Sequence, residues 1–205
     1  MSEESEKNIS ELEKMEAGLW YDANNDEKLY LARLETESLC FELNQTNPKE
    51  TEKRREILMK IFPNAKSGCV ILSPVMADYG KNVFIGEKTF INHGAYLMDC
   101  AKITIGKHCF IGPDCAFYTA VHPLLSDERN LGLEKALPIT IGDNVWLGGK
   151  VVVLPGVKIG SCSVVGAGSV VAKDVPPGVV AAGNPCRVLR KITEADRITK
   201  KDGNA

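Results

Sequence analysis

From Ile85 to Val171 the chain keeps a period of six residues, and this period restricts the fold more than any other feature. A bulky side chain opens each unit. Ile85, Ile91 and Leu97 come first, then, after a step of two extra residues, Ile105, Ile111 and Phe117. The beat returns at Ile141 and runs through Leu147, Val153, Ile159, Val165 and Val171. Glycine often follows the aliphatic, and a second, smaller position falls four places after the start, as at Thr89, Ala95, Cys109, Cys115, Ser163 and Ser169. Six residues make one short strand and one tight corner. The aliphatic points inward, the small residue fills the inside of the next side, and Gly, Asn or Asp permits the turn. Three sides close a triangular coil of about 18 residues, and stacked coils pair in parallel around a column of Ile, Val and Leu. An antiparallel sandwich needs longer strands of alternating polarity and hairpin turns, which are missing. The spacing predicts a parallel β-solenoid and leaves its handedness open.

The period is broken at length by YTAVHPLLSDERNLGLEKALP, residues 118–138. Loops longer than about 12 residues without structure of their own are usually functional or disordered. This one carries Leu124, Leu125, Leu131 and Leu133, which suit packing on a neighbouring surface, and His122, one of three histidines in the chain. An imidazole titrates near neutrality. It can take a proton from a hydroxyl and return one to a thiolate. The plain alternative for His122 is a turn residue before Pro123.

Upstream, NDEKLYLARLETESLCFELNQTNP spaces Leu29, Leu31, Leu34, Leu39, Phe41 and Leu43 as a helix does, with Asp26 as its N-cap and Asn47–Pro48 as its end. PKETEKRREILMKIFP reads as a second helix bounded by Pro48 and Pro63. The expected organisation is a helical cap over residues 1–62, a solenoid over 63–192 with the loop at 118–138, and a tail over 193–205. AAGNPCRVLRKITEADRITKK should cover the last coil as a strand or short helix, since an open solenoid end is an adhesive sheet edge. Fraying is expected from about Asp196.

The formal net charge is −2 and there is no long basic run, so nucleic acid is not an expected partner. No apolar run approaches the roughly 20 residues of a membrane span. The acidic N-terminus, MSEESEKNISELEKMEAG, reads as neither a signal nor a transit peptide, and a cytoplasmic location is expected. Seven cysteines form no C-x-x-C pair. They read as core residues in a reducing compartment rather than disulfides or zinc ligands, and no metal is expected.

Three stretches carry a family resemblance. ITIGDNVWLGGKVVVLPGVKIGSCSVVGAGSVVAKDVPPGVVAAGNPCRVLRK resembles the C-terminal half of the maltose and galactoside O-acetyltransferases, DYGKNVFIGEKTFINHGAYLMD their first coils, and MEAGLWYDANNDEKLYLARLETESLCFELNQTNP their N-terminal cap. The similarity spans residues 14–192. It implies a mainly β fold: a left-handed parallel β-helix with a small N-terminal helical cap and a C-terminal capping segment. It also implies direct transfer of acetyl from acetyl-CoA to a sugar hydroxyl, with a histidine general base, in a homotrimer whose loop reaches a neighbouring subunit.

Carried over residue by residue, the resemblance makes His122, in a T-x-x-H-P pattern from Thr119 to Pro123, the base. Asn92 would hold the acceptor hydroxyl or the transition state; otherwise it is a corner asparagine with positive φ. Asp22 and Asp78 match sugar-contacting positions, and Asp99 or Cys100 matches another. The galactoside enzymes have a second aspartate where this chain has Cys100. Acetyl-CoA would lie against Trp146, Gly149, Ala167 and Ala172, with Lys173, Arg187 and Arg190 on its phosphates. Trp146 could equally be a packing residue. His93 is a weaker candidate for acceptor contact, and His108 reads as a solvated corner. Val152, Val170, Val179 and Val180 on the flat sides suit a partner subunit. Two further readings stay open: an acetyltransferase for an antibiotic or amino sugar, and a non-enzymatic scaffold. The cap argues against the first, because antibiotic-acetylating relatives lack such a segment. The loop histidine with cations downstream argues against the second.

Overall fold

A computed structural model describes residues 9–198. Helices α1 (Glu11–Glu16), α2 (Glu27–Gln45) and α3 (Thr51–Ile61) come first. Asp26 caps α2 by accepting the Leu29 amide at 2.8 Å. The buried stripe of α2 is Leu29, Thr36, Cys40 and Leu43. Leu31, Leu34 and Phe41 stay exposed, so half of the apolar positions that mark this helix in the sequence do not face the core.

Past α3 the chain winds through short parallel strands on three faces. The first face stacks Asn64–Ala65, Val83–Ile85, Ile103–Ile105, Ile139–Ile141 and Lys158–Ile159. The second stacks Val70–Ile71, Phe90–Ile91, Phe110–Ile111, Trp146–Leu147, Val164–Val165 and Val179–Ala182. The third stacks Val75–Ala77, Ala95–Met98, Ala116–Tyr118, Val152–Val153 and Val170–Val171. Each turn visits the faces in this order, giving a three-sided parallel β-helix. Aliphatics lie in register from coil to coil. Ile85, Ile105, Ile141 and Ile159 form one buried column, and Ile71, Ile91, Ile111, Leu147, Val165 and Ala181 another.

The small interior positions have a polar task as well as a steric one. Thr89 donates its hydroxyl to the Gly106 carbonyl at 2.7 Å, and the Cys109 and Cys115 thiols point to the Gly142 and Gly148 carbonyls at 3.1 and 3.2 Å. These three corner carbonyls are thus each met by a short donor side chain from the coil before. All seven cysteines are free. At the corners, Lys88, His108, Asp114, Asn144, Lys150 and Cys162 take positive φ, which bears out the corner reading of His108.

Every departure from the six-residue beat falls on one edge of the prism, between the third and first faces. Eight residues, not six, separate Ala77 from Ile85 and Leu97 from Ile105, and the 118–138 insertion leaves from the same edge one coil later. The helical cap packs there. Asn44 of α2 donates to the Val75 carbonyl and accepts the Val75 amide, each at 3.0 Å, and Thr36 donates to the Tyr79 carbonyl at 3.2 Å.

The insertion is more ordered than its sequence implies. Ala120–Val121 and Leu133–Ala136 pair as an antiparallel ribbon, with a short helical turn at Ser126–Arg129 between them. Tyr21–Asp22, from the cap, adds to the free edge of Leu133–Ala136. An excursion of this length must satisfy its backbone groups, and a ribbon does so. Its third strand comes from a segment more than a hundred residues away, which local spacing cannot reveal. At the other end, Arg187–Lys191 folds back antiparallel on Val179–Ala182 and covers the last coil. Asp196 is described and ion-paired to Arg190, so fraying does not begin there; the expected fraying farther on lies outside the described residues. Val179 points inward and is buried, so it does not contribute to a flat outer side.

Candidate active site

The inserted ribbon presents His122. Its Nδ1 lies 3.0 Å from the Leu133 carbonyl, so that nitrogen carries the proton and donates. The lone pair is then on Nε2, which lies 3.7 Å from Glu134 Oε2. Glu134 is only 9% exposed, and its other oxygen accepts from the Tyr21 hydroxyl. Burial, first of all, pushes the Tyr21 phenol far up, so it is a neutral donor. If Nε2 takes a proton, the imidazolium formed faces a carboxylate within ion-pair distance. Neither Glu134 nor Tyr21 stood out in the sequence. The available signal was the alternation of Leu133–Ala136, which turns Glu134 and Ala136 inward.

Of the expected acceptor residues, Asp78 stands beside this group. It accepts from the Tyr96 hydroxyl at 2.7 Å and faces the Cys100 thiol at 3.4 Å. Burial pushes the Cys100 thiol well up, and the nearby Glu134 and Asp78 carboxylates add to it. Asp78, Tyr96 and Ala77 line a cavity of about 490 Å³ against Tyr30, Arg33, Leu34 and Glu37 of α2. Asp99, expected at the acceptor, faces into the corner instead. It is fully buried, and its carboxylate accepts the amides of Asp78, Tyr79 and Asn82 at 3.1, 2.8 and 3.1 Å. It holds the widened corner together and cannot reach a ligand. Asp22 is also committed locally: Oδ1 accepts the Asn24 and Asn25 amides at 3.1 and 2.9 Å. Desolvation pushes its pKa up, but these bonds and the Asn25 side chain outweigh that and leave it lowered. His93 is tied by Nδ1 to the Ser73 carbonyl.

The donor-side candidates separate into two places, and Asn92, expected at the acceptor hydroxyl or the transition state, shares the first of them. Asn92, Trp146, Gly149 and Ala167 line one groove of about 540 Å³ with Phe110, Pro113 and Gly148. Trp146 is 55% exposed and forms one wall of this groove. Asn92 does not take positive φ; the left-handed corner is Gly94. Its side-chain carbonyl accepts the His93 amide at 2.8 Å, which leaves its NH2 group for the groove. Lys173 and Arg187 line a second cavity of about 270 Å³ with Asp174 and Cys186, and Ala172 is exposed beside Lys173. Arg190 stands apart in a two-pronged pair with Asp196, both contacts 2.8 Å.

A family model described as the maltose acetyltransferase hexapeptide capping motif matches residues 14–66, and the bacterial transferase hexapeptide model matches 138–173. A protein named as an acetyltransferase in Staphylococcus aureus is 52% identical over 90% of this chain and 92% of its own length. The chain belongs to the maltose and galactoside O-acetyltransferase family. Two solved structures of this family superpose closely. A maltose O-acetyltransferase from Clostridium difficile 630 has a TM-score of 0.87 at 43% identity, covering 91% of this chain and 99% of that one. A galactoside acetyltransferase in complex with coenzyme A has a TM-score of 0.88 at 39% identity, covering 92% and 94%. Like them, this chain is an acetyltransferase. Within this family fold, its histidine and its groove lie on different edges. Asn92 follows the second face and His122 follows the third.

Proposed function

We propose that the protein transfers acetyl from acetyl-CoA directly to a hydroxyl of a mono- or disaccharide, with His122 as general base. The observation that carries this reading is the imidazole's own hydrogen bonding. With Nδ1–H given to the Leu133 carbonyl, Nε2 is held as an acceptor, and Glu134 waits 3.7 Å away for the cation. The acceptor's O–H gives its proton to Nε2 as the oxygen bonds to the acetyl carbon. The carbon–sulfur bond then breaks, and the leaving thiolate takes the proton back from Nε2. The Asn92 NH2 group suits the oxyanion or the acceptor oxygen. Asp78, Tyr96 and Arg33 around the adjoining cavity offer the charge-assisted bonds that sugar hydroxyls accept and donate.

The donor fits the groove. Gly149 leaves the pantetheine arm close to backbone and Trp146 forms an apolar wall, while Lys173 and Arg187, in the separate cavity toward the last coil, are the cations proposed for the phosphates. Seven free cysteines suit a reducing, cytoplasmic setting.

A homotrimer fits the outer faces. Phe90, Phe110, Trp146, Val164 and Val180 form an outward column on the second face, and Met76, Tyr96, Ala116, Val152 and Val170 one on the third. The first face carries Asn64, Phe84, Thr104, Thr140 and Lys158, which is more polar. Two apolar faces on one prism favour a heterologous contact that closes into a ring. Because His122 and the groove lie on different edges, direct transfer needs the groove of one copy beside the His122 of another, and a ring is the assembly that would have to supply it.

The test is an acceptor screen with glucose, maltose, a galactoside and trehalose, scored by free thiol released from acetyl-CoA. His122→Ala should lose about 10²–10⁴ in turnover while still binding acetyl-CoA. Wild-type turnover in that variant would remove His122 as the base, and no thiol release with any of the four acceptors would remove the sugar reading.

A further inference from the structure

Taking His122 as the base, we propose that Tyr21 of the N-terminal cap is a positioning residue for the reaction, holding Glu134 so that its second oxygen stays turned to the imidazole. Tyr21 is 1% exposed and stands directly opposite Glu134 in the antiparallel pairing of the cap strand with the inserted ribbon. Its hydroxyl donates to Oε1, which leaves Oε2 for His122 Nε2. A buried carboxylate without donors turns to water, and a buried phenol without an acceptor is equally costly. Each of these two groups is therefore the other's partner, and the pair fixes the carboxylate's rotation.

The same strand sets both sides of the imidazole. Leu133 offers the carbonyl that Nδ1–H bonds, and Glu134, the next residue, faces Nε2. Asp22 pairs with Leu133 as Tyr21 pairs with Glu134, so the cap grips this strand through backbone and side chain together. Tyr21 touches neither substrate nor the imidazole; it acts through Glu134. The other ionisable groups close to Glu134 are Cys100 and Tyr79, with Asp78 beyond Cys100. On the loop side, Arg129 bonds the Pro123 and Leu124 carbonyls next to His122.

Tyr21→Phe keeps the ring and removes the oxygen. The expected result is a roughly tenfold fall in kcat, a fraction of the base's own worth, with an unchanged KM for acetyl-CoA. Glu134→Gln should lower kcat by a similar factor, again with the KM for acetyl-CoA unchanged, and Tyr21→Phe should add little in the Glu134→Gln background. A thermal melt shows whether each variant is folded; should Tyr21→Phe be unstable, the fall in kcat at unchanged KM in Glu134→Gln, with Tyr21 intact, carries the test. A wild-type kcat in folded Tyr21→Phe, fully additive losses in the double variant, or a wild-type kcat in Glu134→Gln would overturn the proposal. Full activity in His122→Ala would instead overturn the base assignment on which it rests, so the two failures are read in different variants.

Discussion

The carboxylate of Asp99 accepts the backbone amide of Tyr79 at 2.8 Å, across the edge where the coils are two residues wider than elsewhere. It holds the amides of Asp78 and Asn82 at 3.1 Å as well. An aspartate that a family pattern places at the acceptor is, in this chain, the buckle of its own corner. Asp99→Ala would leave one buried and two part-buried amides unpaired, and a loss on the order of 3 kcal/mol in unfolding free energy is expected. Asp99→Asn, which keeps an acceptor oxygen, should lose less. Denaturant titration of the two variants checks the order.

Alkaline stability should be governed by buried phenols. Burial pushes Tyr79 up to about 12, against the opposing pull of Arg33. Between its ordinary pKa and that value the folded state keeps a proton that the unfolded state has lost. Stability therefore falls as pH rises through that window. Tyr21 and Tyr96 are displaced in the same direction. Melting temperatures should drop steeply above about pH 10, and less steeply in Tyr79→Phe. An unchanged slope in that variant would refute the assignment.

Two neighbouring glycines should behave differently. A Cβ on Gly148 would lie 2.6 Å from the Ala167 backbone nitrogen in the next coil, whereas one on Gly149 would meet a Pro113 side-chain carbon at 3.3 Å. Gly148→Ala should cost about 1–3 kcal/mol through overpacking that backbone cannot relieve. Gly149→Ala should fold nearly normally and weaken acetyl-CoA binding by filling the groove wall. Melts and binding isotherms on both variants separate the two effects.

Arg190 is occupied by Asp196 in the present arrangement. If it serves a phosphate of acetyl-CoA, Asp196→Asn should free it and tighten donor binding by roughly 2–5-fold at low ionic strength, with the gain fading as salt rises. Unchanged affinity across salt concentrations would mean that Arg190 works only as part of the tail.

The solenoid was legible because its signal is local and repeated. The inward direction of Ile105 or Val153 follows from a strand of two or three residues and a corner, and each coil restates it. The groove residues came from the family resemblance and not from the repeat, and the structure gathers Asn92, Gly149 and Ala167 along one groove. Asp99 and Val179 misled. Their residue types suit a ligand and a partner, and only the packing shows one closed over by amides and the other turned inward.

His122 could be picked out in the sequence because it interrupts a period. What surrounds it could not. Glu134 is one of several charges in a loop and Tyr21 an aromatic in a distant cap, and nothing within either segment refers to the other. The repeat by itself determined the coil, its core column and the place of the excursion, because hydrophobic burial at a fixed spacing admits few chain paths. Which carboxylate faces the imidazole was decided only when the cap strand paired with the inserted ribbon, because that contact joins segments whose separation along the chain carries no periodic signal.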